Sequence, residues 1–424
     1  MPRDPMLTPE EARAIVLDHV QVLGPERISL LEATGRVLAQ DVLARRDNPP
    51  CDNSAMDGYA VRHADVAAAR DDAPVALEVI EDIPAGKVPQ KTVGPGQASR
   101  IMTGAAVPAG ADTIAPVEDT RPAEQGLRPE LSRRVEILAI EECGAHIRRR
   151  GEDMRCGEPI IKAGTECGPG ELAVLAAVQQ SFVSVYRRPH VAILSTGDEL
   201  VEIEETPGEG QIVNSNTCAL AAFCHAHGAE PVMLPTVADD EAAIRATIEA
   251  ALRADFAVSS GGVSVGEYDF VKKVLDDLGA ETIFWRVAMK PGKPLVFCKV
   301  GGVPYFGLPG NPVSSMMSFL QFVRPAIRKA AGYPQAAWSL PEAHARVESP
   351  CDNDGDRRQY MRATLRYQDG QFWVRPARSQ GSHIISSMLN ANSFVVLEPR
   401  QRAEIGDEVL VQVVGELVMS GESG

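Results

Sequence analysis

The stretch His190-Val191-Ala192-Ile193-Leu194-Ser195-Thr196-Gly197-Asp198-Glu199 decides the architecture. Its short apolar run reads as a buried strand. A small, hydroxyl-bearing turn with one glycine and two acids follows at once. The same grammar returns twice downstream. Phe256–Ser260 runs into Gly261-Gly262-Val263-Ser264, and Val303–Gly307 runs into Leu308-Pro309-Gly310-Asn311-Pro312. Helices are expected at Thr217–Ala226, from an Asp239 or Asp240 cap to Leu252, through Leu278, and from Pro312 to about Ala330. Further strands are expected at Pro231–Val237, Thr282–Val287 and Leu295–Val300. This alternation implies a doubly wound, mostly parallel α/β sheet.

Outward from this segment the texture changes. Thr8, Pro9 and Glu11 form a capping box that opens a helix whose apolar period runs to Leu23. A second short helix is expected at Ser29–Gln40. Asn48 to about Ala145 is rich in Gly and Pro, with strand-like runs at Val75–Ile80, Ala98–Met102 and Val135–Ile140. A helix is expected at Gly170–Gln180. Beyond Gly332-Tyr333-Pro334, Tyr360–Tyr367 and Phe372–Pro376 flank Asp369-Gly370 as a β hairpin, with strands at Ser393–Leu397 and Glu408–Val414. The fold class is therefore multidomain, α/β plus β, and 424 residues fit roughly three to four domains.

Composition excludes some functions. A formal net charge of −16 argues against a nucleic-acid partner. No apolar run approaches the ~20 residues of a membrane helix, and the N-terminus lacks a signal-peptide core, so a cytoplasmic protein is expected. None of the eight cysteines forms a C-x-x-C pair, so free thiols are expected and a zinc site is not. His225 and His227 are two apart on a helix, on different faces, and do not suggest a metal. An acidic chain can hold an anion only through local basic groups, helix N-termini or bridging metal ions.

The strand ends supply such groups. Ligands of an open α/β sheet bind beyond the carboxyl ends of its strands. There Ser195, Thr196, Gly197, Gly261, Gly262, Ser264, Pro309, Gly310 and Asn311 are candidate binding residues. Glycines admit close backbone approach and free helix amides hold oxyanions. Asp198, Glu199, Asp239, Glu267 and Asp269 lie just past strand ends and could hold Mg²⁺ directly or through water. Lys290 and Lys293 sit on a Pro-stiffened turn, with Arg286 upstream, and could hold phosphate or a similar oxyanion. Neither a dinucleotide fingerprint nor a Walker A loop is present, since Gly208-Glu209-Gly210 lacks a third glycine and Gly292-Lys293 runs into Pro294.

Eight strings now carry a resemblance: DNSAMDGYA at 52–60, RIMTGA at 100–105, RRRGED at 148–153, STGDEL at 195–200, SSGGVSVGE at 259–267, KPGKP at 290–294, GLPGNPVS at 307–314 and QGSHIISS at 380–387. In this order, over nearly the whole chain, they resemble the molybdopterin molybdenumtransferase family of the MoeA type, whose eukaryotic relative is the E domain of gephyrin. The resemblance implies four domains: an elongated discontinuous one (1–47 plus 146–180), an inserted β domain (48–145), a molybdopterin-binding α/β domain (181–332) and a β-barrel-like end (335–424). It implies a homodimer with its cleft between subunits, and a reaction in which adenylylated molybdopterin and molybdate, with Mg²⁺, give molybdenum cofactor and AMP. The family's functional acids fall on Asp57, Asp153, Glu199, Asp239 and Asp269. Its polar positions fall on Thr103 and Ser382, and its lysine turn on Lys290 and Lys293. Arg286 replaces a common lysine, keeping charge but changing geometry. Two alternatives share parts of the resemblance: the pterin adenylyltransferase that makes the substrate, and a non-catalytic, gephyrin-like scaffold.

Overall fold

The computed structural model describes residues 6–124, 132–262 and 270–419. Its central sheet runs Glu230–Met233, His190–Ser195, Phe256–Ser260, Val303–Leu308, Pro294–Val300, Glu281–Arg286. The first four strands are parallel. The last two are antiparallel to their neighbours. The reason lies in Gly301 and Gly302, with φ of 57° and 89°, which join Val300 to Val303 in a two-residue hairpin too short for a crossover.

Alternate residues of each buried strand face opposite layers, as the strand period requires. Val191, Ile193 and Val258 pack on the side of the helices Ser215–Ala226 and Pro312–Ala330. Ala192, Leu194 and Ala257 pack on the side of Glu241–Ala251 and Phe270–Asp277. Helices thus cover both faces, and the sheet is doubly wound. The long helix from Pro312 contains a π segment, Phe319–Val323, immediately before Arg324 and Pro325. A wider turn there accommodates the ring and missing N–H of Pro325.

At the C-terminus, Arg358–Gln368, Gln371–Pro376, Glu342–Val347, Glu408–Val413 and Ser393–Leu397 pair in a ring and close a five-stranded barrel. The expected hairpin is present, with Asp369 and Gly370 both at positive φ. Toward the N-terminus, six strands form a separate sheet from Gly58 to Ile137. Around it the chain leaves and returns: Pro25–Ser29 pairs with Phe182–Tyr186, Val42–Leu43 with Pro159–Ile161, and Asn53–Ser54 with Ile147–Arg148.

Three expectations are corrected. Ser29–Gln40 is not a helix. Its capping box at Ser29 and Glu32 opens only a 3₁₀ turn, Leu30–Ala33, which Gly35 at φ 69° ends. The first helix stops at Asp18 rather than near Leu23, whose N–H instead donates to Ala330 O. The strand expected at Pro231–Val237 is Glu230–Met233, with Val237 kept only as a bridge to Thr196.

Asp255 fixes where the central sheet begins. Its carboxylate accepts from Arg187 Nη1 at 2.8 Å, Arg187 Nη2 at 2.6 Å and the His190 N–H at 2.8 Å. Burial works to raise its pKa, but the Arg187 fork and the His190 amide outweigh it and hold the carboxyl below its usual range. Its stabilising share is present at neutral pH and disappears as pH falls through that lowered pKa. Asp255→Ala is expected to lose about 2 kcal/mol of unfolding free energy at pH 7. Urea titrations of both proteins should show the gap closing in strong acid.

Candidate active site

Three turns leave the sheet side by side. The parallel register pairs Ser195 with Ser260 and Ser260 with Leu308, so their strands end at one level. The chain crosses to Glu230–Met233 on one side of His190–Ser195 and to Phe256–Ser260 on the other. This is the topological switch point where an α/β sheet opens a crevice. A cleft of about 650 Å³ lies there. Of the expected residues, Ser195, Thr196, Gly197, Glu199, Asp239, Gly261, Gly262, Pro309, Gly310 and Asn311 line it.

Local geometry explains the residue types. Gly262 has φ 64°, and a Cβ there would sit 2.4 Å from Val271 Cγ2. A Cβ built on Gly310 would stand 3.8 Å from Gly261 Cα, so the two turns lie almost in contact. Two helices begin at the cleft. Asn214 caps Ser215–Ala226, its Oδ1 accepting the Thr217 N–H at 3.2 Å. Asn311 precedes the helix at Pro312 but makes no side-chain cap bond, which leaves its amide group uncommitted to the helix. Both helix N-termini bring partial positive charge to the cleft. The Ser195 hydroxyl turns inward, 3.0 Å from Thr217 Oγ1, and Asn214 Nδ2 ties Thr217 and Thr236 at 2.9 and 2.8 Å.

The acids crowd one wall. The Asp239 N–H donates to Asp198 Oδ1 at 3.0 Å. Asp239 is exposed as a residue, yet desolvation of its carboxyl by the surrounding chain, then the charges of Asp198 and Glu199, push it above its usual range. Among the described residues no three donors converge into a closed metal site. Ser264, Glu267 and Asp269 lie outside the described residues.

The lysine turn borders the cleft rather than lining it. Val287 N–H donates to Lys293 O at 3.1 Å and closes the turn, whose next residue, Pro294, reaches the cleft wall. Lys290 and Arg286 are exposed, and Met289–Lys290 pairs with Arg358 and Gln359 of the barrel. Ser382 arrives from the barrel, its carbonyl accepting the Val313 N–H at 3.1 Å. Asp57, Thr103 and Asp153 lie elsewhere, and none lines this cleft. Asp57 Oδ1 accepts from the Thr103 N–H at 2.7 Å and the Thr103 hydroxyl at 2.8 Å, which holds it ionised well into acid. Asp153 accepts from Asn48 Nδ2 at 2.8 Å.

Sequence reasoning missed four residues. Asn214 and Asn216 were signalled by the polar run Asn214-Ser215-Asn216-Thr217 at a helix start. His383 lines the cleft beside Ser382. Arg362 is fully buried with no acid on its guanidinium among the described residues. It donates from Nε to Ser387 Oγ and from Nη2 to the Ser379 and Gly381 carbonyls, all at 3.1 Å. It therefore holds the loop that carries Ser382 and His383, and no local pattern announces that.

Residues 7–178 match the MoeA N-terminal region (domain I and II), 192–329 the probable molybdopterin binding domain, and 344–414 the MoeA C-terminal region (domain IV). A molybdopterin molybdenumtransferase of Nostoc is 40% identical over 93% of this chain and 91% of its own length. One from Haemophilus influenzae is 34% identical over 97% and 100%. The crystal structure of a molybdopterin biosynthesis MoeA protein from Pyrococcus horikoshii gives a TM-score of 0.81 at 29% identity, covering 96% of this chain and 100% of that one.

The crowded wall yields a test. An acid with a raised folded pKa weakens the fold once it ionises, and the deficit is relieved as pH falls below that pKa. Asp239→Asn is expected to raise the thermal midpoint at pH 7. The two melting curves should converge through the acid range; a lower midpoint for the variant at pH 7 would contradict the electrostatic account.

Proposed function

The chain belongs to the molybdopterin molybdenumtransferase family, and from that premise we propose that it inserts molybdenum, supplied as molybdate, into adenylylated molybdopterin and releases AMP. The observation that carries the reading is the cleft: three small turns and two helix N-termini converge on one space, with carboxylates on one wall and lysines at its border. Such a site can hold a phosphoanhydride on an acidic protein.

In this reading Thr196, Gly197, Gly261, Gly262, Ser264 and the Pro309-Gly310-Asn311 turn hold the phosphate oxygens. Leu200, Ile212 and Val213 offer an apolar wall to a flat ring. Lys290, Lys293 and Arg286, with Ser382, hold molybdate and the pterin phosphate. Water adds to the adenylyl phosphorus, the bridging P–O bond breaks, AMP leaves, and the pterin keeps its own phosphate. The dithiolene sulfurs then replace molybdate oxygens, which depart as water.

Asp198, Glu199, Asp239 and Asp269 are the residues to hold Mg²⁺. The raised Asp239 carboxyl fits a cation beside it, and Mg²⁺ commonly takes one or two carboxylates and completes its shell with water and substrate phosphate. When bound there, Mg²⁺ would draw charge from the phosphoanhydride and make the pterin phosphate a better leaving group from the adenylyl phosphorus.

The reading also includes the four domains, 1–47 plus 146–180, 48–145, 181–332 and 335–424, and a homodimer. Asp57, Thr103 and Asp153 do not reach their own chain's cleft, so a second copy would bring them to it. Arg45, Arg46 and Arg150 line one hollow together with Asp47, while Glu202, Glu204, Glu205 and Glu209 are exposed in the segment between Val201 and Ile212, and these opposite charges support the pairing of two copies. A cytoplasmic location is supported by eight free cysteines, and no described helix is long and apolar enough to cross a membrane.

With adenylylated molybdopterin and Mg²⁺, AMP release is expected to depend on molybdate and to leave molybdenum on the pterin. Tight pterin binding without AMP release would reject the reaction. For the dimer, Asp57→Asn and Lys290→Ala copies should each be inactive alone. Refolded together they should regain about a quarter of wild-type turnover, because half the dimers are mixed and each mixed dimer has one intact cleft of two. No recovery would mean that one chain supplies both Asp57 and Lys290 to a cleft, and would overturn the shared arrangement.

A further inference from the structure

The two turns expected to hold phosphate are joined by little backbone. Their strands pair up to Ser260 and Leu308, and the last bond between them is Gly261 N–H to Leu308 O at 3.1 Å. Beyond it Gly261 and Gly310 approach closely, as their clearance shows. The side chain that bridges them comes from a third element. Asn216 Nδ2 donates one proton to Ser260 Oγ and the other to Gly310 O, both at 2.8 Å.

Asn216 is not serving its own helix. The capping bond is made by Asn214, two residues earlier. Asn216 lies in the first helical turn, half-buried, on the cleft wall. Both of its amide protons go to the turns, so the helix N-terminus, the Ser260–Gly262 turn and the Pro309–Asn311 turn meet on one carboxamide.

The consequence runs through a peptide plane. The Gly310 carbonyl and the Asn311 N–H belong to one rigid unit and point in opposite directions. Fixing the carbonyl therefore fixes the amide. That amide matters because the next two positions offer little. Pro312 has no N–H, and the Val313 N–H already donates to Ser382 O. At this helix start, the aim of the Asn311 amide depends on Asn216.

We propose that Asn216 is a positioning residue for phosphoanhydride cleavage. It locks the Ser260–Gly262 and Pro309–Asn311 turns at one spacing and aims the Asn311 amide at the phosphate. The inference rests on the reaction proposed above. A loosened cradle still admits substrate but no longer matches the charge of the transition state, so its loss should appear in kcat more than in KM.

The test is steady-state AMP release by the full-length protein, with adenylylated molybdopterin, Mg²⁺ and molybdate. Asn216→Ala is expected to lower kcat about ten- to a hundredfold, as misplaced catalytic groups do. KM should stay within about threefold, because ground-state binding is shared among many groups. The thermal midpoint should hardly move. Asn216→Asp keeps the shape but sets a carboxylate against the Gly310 carbonyl, and should lose at least as much; it also serves if the alanine variant folds poorly. Ser260→Ala removes one of the two bonds, so its effect should not add fully to that of Asn216→Ala. Unchanged kcat in both Asn216 variants, a loss that tracks the thermal midpoint, or full additivity with Ser260→Ala would overturn the positioning role. Wild-type protein that releases no AMP would overturn the parent reading instead.

Discussion

Everything at the site depends on the parallel register that ends three strands at one level. Ser195, Ser260 and Leu308 are consecutive rungs across the sheet. A slip of one residue in any pair would turn a buried side chain toward the wrong face and move a whole turn out of the cleft. The register is defended on both sides, because each strand buries alternate residues in two separate cores. The binding turns therefore need no rigidity of their own. They inherit position from strands that cannot shift without exposing both layers, and they keep the small residues that let a ligand approach.

That inheritance ends a residue or two beyond the sheet, and side chains take over. Asn216 joins two turns to a helix start. Asn214 joins Thr217 to Thr236, under Ser195. Arg362 holds the loop that brings Ser382 and His383 from the barrel. In each case a multi-donor group satisfies oxygens from different parts of the chain. A buried donor without partners is costly, so each of these groups resists displacement by roughly the value of the bonds it makes. The Arg362 guanidinium is the most demanding: burial makes its charged form harder to keep, and only neutral oxygens answer it.

The parts legible in the sequence were those set by local pattern. Continuous apolar runs gave the buried strands, and the capping box at Thr8 marked a real helix start, whereas the helix expected at Ser29–Gln40 is only a 3₁₀ turn. The antiparallel edge of the sheet escaped because Gly301-Gly302 was not read as a hairpin. Its two positive-φ glycines were a sufficient signal. Asn216 and Arg362 escaped for another reason. Asn216 meets Gly310 across 94 residues of chain, and Arg362 acts on a loop beyond a hairpin. Their neighbours in sequence say nothing about those partners. Asp57, Thr103 and Asp153 were reached by resemblance alone, and the local bonds of Asp57 with Thr103 and of Asp153 with Asn48 do not explain a catalytic use within one chain.

Charge gives the remaining constraint. In the proposed reaction a chain of net charge −16 brings together two anions. It does not do so with a general positive field. Partial charges at two helix starts face the cleft, full positive charges stand at its border on Lys290 and Lys293, and the carboxylates of Glu199 and Asp239 line it. This segregation explains why Asp239 is left in an unfavourable setting. Asp198 and Glu199 bear on Asp239 near one strand end, and their repulsion of it falls when Asp239 takes a proton or when, in the proposed reaction, a cation sits beside it. The same acids would repel a bare phosphoanhydride, so substrate without its cation meets a hostile wall and substrate with it meets a complementary one. In the proposed reaction this charge density would disfavour the metal-free encounter and make binding of cation and phosphate cooperative.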